Sequence, residues 1–290
     1  MDRPDADSAA SLLKSMGPKS VLMSLSPLLA GVPRAAVVHY ASNSASVFPS
    51  SRSVLTVHDL FQRDATTLVG KAQWLLLRRG LATSEVLTPI SSVTADSMVR
   101  AGIDRKRIRV IPHGMVPVRP DRSVNRSGVL AFGATMGRKR PELLCSVLEA
   151  LSKSGWDAPM TVLARAGLSD DHRSRLTAVG ATILDDATDV DVKRLYGSHA
   201  ALIVTSSEEG FGLPIIEAAE HQLPVVIGRD AVVAKEAIGA HCFFAEDIQP
   251  ATWVKVVHEA ARVRNPLTES FLPSWEDVAR EYVQVYGSLQ

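Results

Sequence analysis

Cysteine is scarce in this chain. Its 290 residues include two, Cys145 and Cys242, too few and too far apart for a disulfide framework. One bridge between them stays open, but free buried thiols in a reducing compartment are expected. An excess of one charge is also missing: 32 basic and 31 acidic side chains leave a formal charge of +1. No global field therefore favours nucleic acid. No apolar run approaches the ~20 residues that span a membrane. The opening, Met1-Asp2-Arg3-Pro4-Asp5-Ala6-Asp7, lacks the basic start and apolar core of a secretion signal. A cytoplasmic location is the expectation. No repeat of solenoid length is present.

What is present is ordinary for a globular protein: 46% apolar and 22% charged residues. The length allows two cores of roughly 100–150 residues each. Short apolar runs at 20–25, 35–40, 53–57, 85–90 and 107–111 read as strands. Helical stretches near 72–81 and 93–101 lie between them, and an amphipathic turn or two is expected near 9–16. Pro112, Pro117 and Pro120 then interrupt the pattern, and the segment to Gly128 reads as a linker. A second series follows, with strands at 128–133, 160–165, 181–184, 199–205, 224–228 and 241–244. Its helices fall near 141–152, 170–178, 190–197, 214–221 and 251–263. Ser274-Trp275-Glu276-Asp277 has an N-cap pattern, and Val278, Tyr282, Val285 and Tyr286 keep helical spacing. Strands alternating with helices predict parallel sheets covered on both faces. The expected fold class is α/β, with two Rossmann-like domains facing each other across a cleft.

One stretch carries chemistry. Ala200-Ala201-Leu202-Ile203-Val204 leads into Thr205-Ser206-Ser207-Glu208-Glu209-Gly210-Phe211-Gly212-Leu213-Pro214-Ile215-Ile216-Glu217. Strand, glycine turn and helix make half of a βαβ unit, and Leu223-Pro224-Val225-Val226-Ile227-Gly228 completes it. Main-chain N–H groups of Gly210, Phe211, Gly212 and Leu213 suit an anion at the helix start. Glu209 and Glu217 add two carboxylates at different heights. Each can accept two hydrogen bonds from a diol. A phosphate flanked by two polyols fits this layout, as in a nucleotide sugar.

The segment from Glu209 to Glu217 resembles the E-x7-E signature of retaining glycosyltransferases with the GT-B fold (family 4-like, group 1), typified by bacterial mannosyl- and glucosyltransferases. Other segments agree in order: Val57-His58-Asp59-Leu60, Ile111-Pro112-His113-Gly114, Gly133 to Lys139, and Ser274 to Tyr286. The resemblance covers about residues 35–288. It implies an N-terminal acceptor-side domain over 1–118, with helix 274–288 packing back on it. A nucleotide-sugar-binding domain spans 119–273. It puts Glu209 on the donor sugar, Glu217 on the ribose, and Lys139 with Arg138 on the diphosphate. Gly210, Phe211, Gly212 and Leu213 complete donor binding, and His58 lies near the donor sugar and phosphate. It also implies reaction at the front face of the sugar, the leaving phosphate helping to deprotonate the acceptor.

The function so implied is transfer of a mannose- or glucose-type sugar from a nucleoside-diphosphate sugar to a hydroxyl acceptor: a glycan, a lipid-linked sugar or a small molecule. No cofactor and no metal are expected. The alternative is a catalytically weak nucleotide-sugar-binding protein that needs a partner. Trp74-Leu75-Leu76-Leu77-Arg78-Arg79 reads first as a core helix with a basic end. Related enzymes dock on membranes through such helices, so weak peripheral association at the inner membrane face also goes with the resemblance. Two departures stand out. Ala134 replaces the Arg that many members carry after the loop glycine. No glycine-rich loop precedes His58, so an abbreviated N-terminal domain is expected.

Overall fold

The computed structural model describes residues 37–43, 52–64, 68–116, 118, 124–135, 137–209, 212–231, 238, 242–263 and 273–289. The chain divides into two compact units, residues 1–113 with 276–290, and residues 114–275. Each is described by itself.

The first unit holds a parallel sheet of β1 (Val38–Tyr40), β2 (Ser53–Val57) and β3 (Val86–Pro89), in that order. Every residue of β2 is buried, as a strand covered on both faces requires. Its side chains alternate. Leu55 and Val57 join Leu77 and Leu81 of α1 (Leu68–Thr83) and Met98 of α2 (Ser92–Arg100). Val54 points the other way, to Ile111, Val278 and Val285. The last two lie on α8 (Trp275–Gly287), whose residues from Glu276 on belong to this unit. Ser91 caps α2 by accepting the Thr94 N–H.

The strand expected at 107–111 is not an extended strand. Arg105–Arg107 form a 3-10 turn, because the Asp104 carboxylate accepts the Lys106 N–H at 2.9 Å. Ile108 makes a single parallel bridge to Leu87. Arg109 and Ile111 donate to the carbonyls of Leu87 and Pro89, at 2.9 and 3.0 Å. Pro89 has no N–H to return, so the ladder stays incomplete. The strand expected at 20–25, the amphipathic turns near 9–16 and most of the segment on which the abbreviation rests lie outside the described residues.

The second unit is a six-stranded parallel sheet. Its strands are β4 (Val129–Ala134), β5 (Met160–Ala166), β6 (Thr182–Leu184), β7 (Ala201–Val204), β8 (Val225–Gly228) and β9 (Cys242–Ala245). They lie in the order β6-β5-β4-β7-β8-β9. This is the doubly wound Rossmann order, which reverses between its first and fourth strands, here β4 and β7. The covering helices are α3 (Pro141–Lys153), α4 (Asp170–Ala178), α5 (Asp189–Ser198), α6 (Leu213–Glu220) and α7 (Pro250–Ala260). Their starts follow local chemistry. Ser169 caps α4, and Thr188 and Asp191 form a capping box on α5. Val129, Ala131, Leu148, Val162, Ile203 and Trp253 lie in one buried core. Each of the six strands predicted for this half has a counterpart. The one predicted over 199–205 is shorter, because His199 closes α5 and the Thr205 side chain turns to another loop. Among the described residues, no helix is long and apolar enough to cross a membrane.

Candidate functional site

The site grows from two loops at the carboxyl ends of β4 and β7. After β4 the chain makes a 3-10 turn, Gly137–Lys139. After β7 it passes from Thr205 to Glu209. Thr205 Oγ1 donates to the Lys139 carbonyl at 2.8 Å. The Ser207 N–H and Oγ both donate to the Arg138 carbonyl, at 2.9 and 3.2 Å. These bonds fasten one loop to the other. They bring Lys139 Nζ to 2.6 Å from Glu209 Oε1, with side chains 24% and 10% exposed. Two groups 70 positions apart thus form a partly desolvated ion pair.

Lys139 and Glu209 edge a cavity of about 180 Å³. Phe132, Ala134, Leu163, Ile203 and Val204 give it apolar walls, and Arg165 and Pro214 also line it. It sits where the sheet order reverses, the place where open α/β sheets take ligands. The Arg165 guanidinium is held by the Ala187 carbonyl, at 2.7 Å from Nε, and by Asp189 Oδ1, at 2.9 Å from Nη2.

Helix α6 begins beside this pair. Gly212 is its N-cap with φ +74°, and a Cβ there would meet Ile215 Cδ1 at 2.6 Å. Leu213 opens the helix and is 57% exposed, and Pro214 is the second helical residue. Gly210 and Phe211 lie outside the described residues. Glu217, one turn further on, keeps an exposed surface and is not among the residues lining the cavity. Tyr196 of α5 donates to Glu217 Oε2 at 2.8 Å. Burial raises the Glu217 pKa above the ordinary carboxylate value, the Tyr196 bond opposes this, and the Glu220 charge adds to it. Sequence reasoning missed Tyr196. The signal was there: it shares a buried helix face with Val192, and a buried hydroxyl requires a partner.

His58 belongs to the first unit, just after β2. Its N–H donates to Asn43 Oδ1 at 2.7 Å, and its Nε2 lies 3.0 Å from the Ala41 carbonyl. Its ring is 5.5 Å from that of His113. Burial first, and His58 second, push the His113 pKa down to about 4. Asp59 takes the turn-capping role its position suggests: Oδ1 accepts from the Phe61 N–H and from Asn43 Nδ2, at 3.2 and 3.3 Å. A separate cluster of Glu142, Asp171 and His172 brings three ligand-type atoms within 4.8 Å. The two Glu142 oxygens already meet His172 Nε2 and Arg175 Nη1, each at 2.6 Å. Arg175 also reaches Glu149 Oε1 at 2.7 Å, so Glu142 belongs to a hydrogen-bond and ion-pair network.

Fold and site together define the class: an α/β protein of GT-B architecture with two Rossmann-like units. Residues 17–119 match the family model described as Glycosyltransferase Family 4. Residues 126–262 match the one described as Glycosyl transferases group 1. The two matches lie one after the other along the chain, each on its own segment. Over 137 residues it is 32% identical to the serotype-specific mannosyltransferase WbdA of Escherichia coli. That match covers 45% of this chain and 17% of WbdA, so the chain spans only a small part of this relative's length. Among solved structures, Anabaena Alr3699/HepE in complex with UDP and glucose superimposes with a TM-score of 0.69 at 15% identity, covering 98% of this chain and 82% of that one. WaaG, a glycosyltransferase involved in lipopolysaccharide biosynthesis, gives 0.61 at 15%, covering 90% and 76%.

Proposed function

We propose that this protein is a retaining hexosyltransferase that moves a sugar from a nucleoside-diphosphate sugar to a hydroxyl acceptor. The observation that carries the reading is the Lys139–Glu209 pair, set beside the start of α6 at the reversal of the sheet. Each partner suits a different part of one ligand. Lys139 donates to diphosphate oxygens, with Arg138 and the N–H groups that open α6 adding positive potential. Glu209, released from Lys139, accepts from hydroxyls of the sugar. Glu217 accepts from the ribose. As the bond from sugar to phosphate breaks, negative charge grows on the leaving diphosphate, and the cations stabilise it most at that moment. The leaving phosphate takes the acceptor proton on the face it departs from, and the anomeric configuration is kept. Mannose is the first candidate sugar, because the matched relative is named for mannose transfer; a glucose-type sugar comes next.

The test is release of nucleoside diphosphate from GDP-, UDP-, ADP- and dTDP-sugars, with and without hydroxyl acceptors. One donor should be consumed faster when acceptor is present, and NMR of the product should show retained configuration. EDTA should leave the rate unchanged, since the reading assigns charge neutralisation to Lys139 and Arg138. Glu209→Gln should cut turnover by about 10²-fold or more. Tight donor binding without turnover under any acceptor would contradict the assignment.

A further inference from the structure

Tyr196 takes no part in the proposed sugar transfer, and its surroundings suggest a role. It is 1% exposed. Its ring lies 5.6 Å from His221 in a stacked arrangement and 6.4 Å from Phe132, which lines the cavity. Its hydroxyl donates to Glu217 Oε2 at 2.8 Å. Among the described residues this is the one side-chain hydrogen bond that Glu217 makes. A carboxylate offers about four lone-pair sites, so Oε1 remains available on a residue that faces solvent. Arg126 holds the geometry from the far end. Its guanidinium donates to the carbonyls of Gly197, His221 and Gln222, at 3.1, 2.6 and 2.8 Å. It thereby ties the end of α5, which carries Tyr196, to the end of α6, which carries Glu217.

We propose that Tyr196 is a positioning and selectivity residue: by fixing Oε2 of Glu217 it aims Oε1 at a ribose hydroxyl, and so sets the preference for ribonucleotides over deoxyribonucleotides. The inference rests on the donor reading, in which Glu217 meets the ribose. An unanchored carboxylate swings about its terminal torsion, which is broad and roughly two-fold. It would then meet a hydroxyl less often in the right direction. A donor fixed on one oxygen removes that freedom before the ligand arrives, which is preorganisation.

Isothermal titration of the full chain tests this with UDP and GDP and their 2′-deoxy and 3′-deoxy counterparts. The wild type should prefer the ribonucleotide over at least one deoxy form by roughly tenfold or more, the size of one hydrogen bond to a charged acceptor. Tyr196→Phe keeps the ring and removes only the hydroxyl. It should bring the preference below about threefold, chiefly by weakening the ribonucleotide. If Tyr196→Phe weakens every nucleotide by the same factor, or leaves the preference intact, Tyr196 is structural only and the inference fails. Glu217→Gln separates the two levels. Unchanged affinity in that variant would sink the ribose assignment itself. Weakened affinity there, with an intact preference in Tyr196→Phe, would sink the Tyr196 inference alone.

Discussion

Lys139 and Glu209 satisfy each other at 2.6 Å, so a ligand that parts them must replace both partners. In the proposed reading a diphosphate linked to a sugar does so, with an anion at one end and hydroxyls at the other. Lys139→Ala should therefore act on rate more than on binding. Leaving-group charge peaks at the transition state, so kcat should fall by about 10²-fold while donor affinity changes less. Steady-state kinetics beside a binding isotherm would show it, and a normal kcat would make Lys139 a surface charge. His113 gives a pH prediction of a different kind. Its pKa falls from the usual 6.5 to about 4 on folding, so the unfolded chain binds more protons between those values. The stability tied to its neutral form is fully present above about pH 6.5 and is lost as pH falls toward 4. His39, His199 and His221 are lowered too, with burial the first cause of each. The His113 share is thus a difference. Urea unfolding at pH 7.5 and 5 should show a smaller loss for His113→Gln than for wild type. Equal losses would contradict the assignment.

At the scale of the element, α6 depends on how it starts. Gly212 sits at φ +74° with Ile215 against the place of a Cβ. Gly212→Ala should cost about 1–2 kcal/mol for the left-handed backbone. It should also tilt the first turn, so that donor affinity falls with stability. Melting temperature and a donor isotherm together would check this. Strands such as β7 and β8 were legible in the sequence because they are short, uncharged, β-branched runs buried on both faces. The turn between β7 and α6 was legible from Gly212 and Pro214. The expected strand at 107–111 also carries β-branched residues, Ile108, Val110 and Ile111, yet a capped turn at Asp104 and the missing N–H of Pro89 limit it to one bridge. The local pattern cannot show what a neighbouring strand lacks. The same holds at the site. Glu209, Lys139 and Glu217 were readable as residue types in a motif. The contact of Glu209 with Lys139 and the anchoring of Glu217 by Tyr196 join segments 70 and 21 residues apart. Only the folded sheet order places those segments side by side.

At the scale of the whole molecule, the chain changes units at two places, between His113 and Gly114 and between Trp275 and Glu276. The second-unit sides of these two crossings run together. The Met115 N–H donates to the Pro273 carbonyl at 2.9 Å, and Met115 bridges Ser274. Gly114 passes so close that a Cβ would lie 2.7 Å from Trp275 Cα. The N–H groups of Val116 and Val118 then donate to the side chain and the main chain of Glu220, both at 2.9 Å. Glu220 closes the helix that carries Glu217. Gly114→Ala should thus cost about 1–3 kcal/mol by overpacking, seen as a lowered melting temperature and faster proteolysis near residue 115. Wild-type resistance would mean the crossings are not held this way. In the proposed donor mode one ligand meets Glu209 through its sugar and Glu217 through its ribose. This mode is tested most directly by titrating wild type, Glu209→Ala and Glu217→Ala with a nucleoside diphosphate and with its sugar conjugate. Glu217→Ala should weaken both ligands by a similar factor, on the order of 1.5–3 kcal/mol. Glu209→Ala should weaken only the sugar conjugate, and bare diphosphate should bind as well as before or better, because Lys139 is freed. Wild-type affinity for both ligands in both variants would contradict the account.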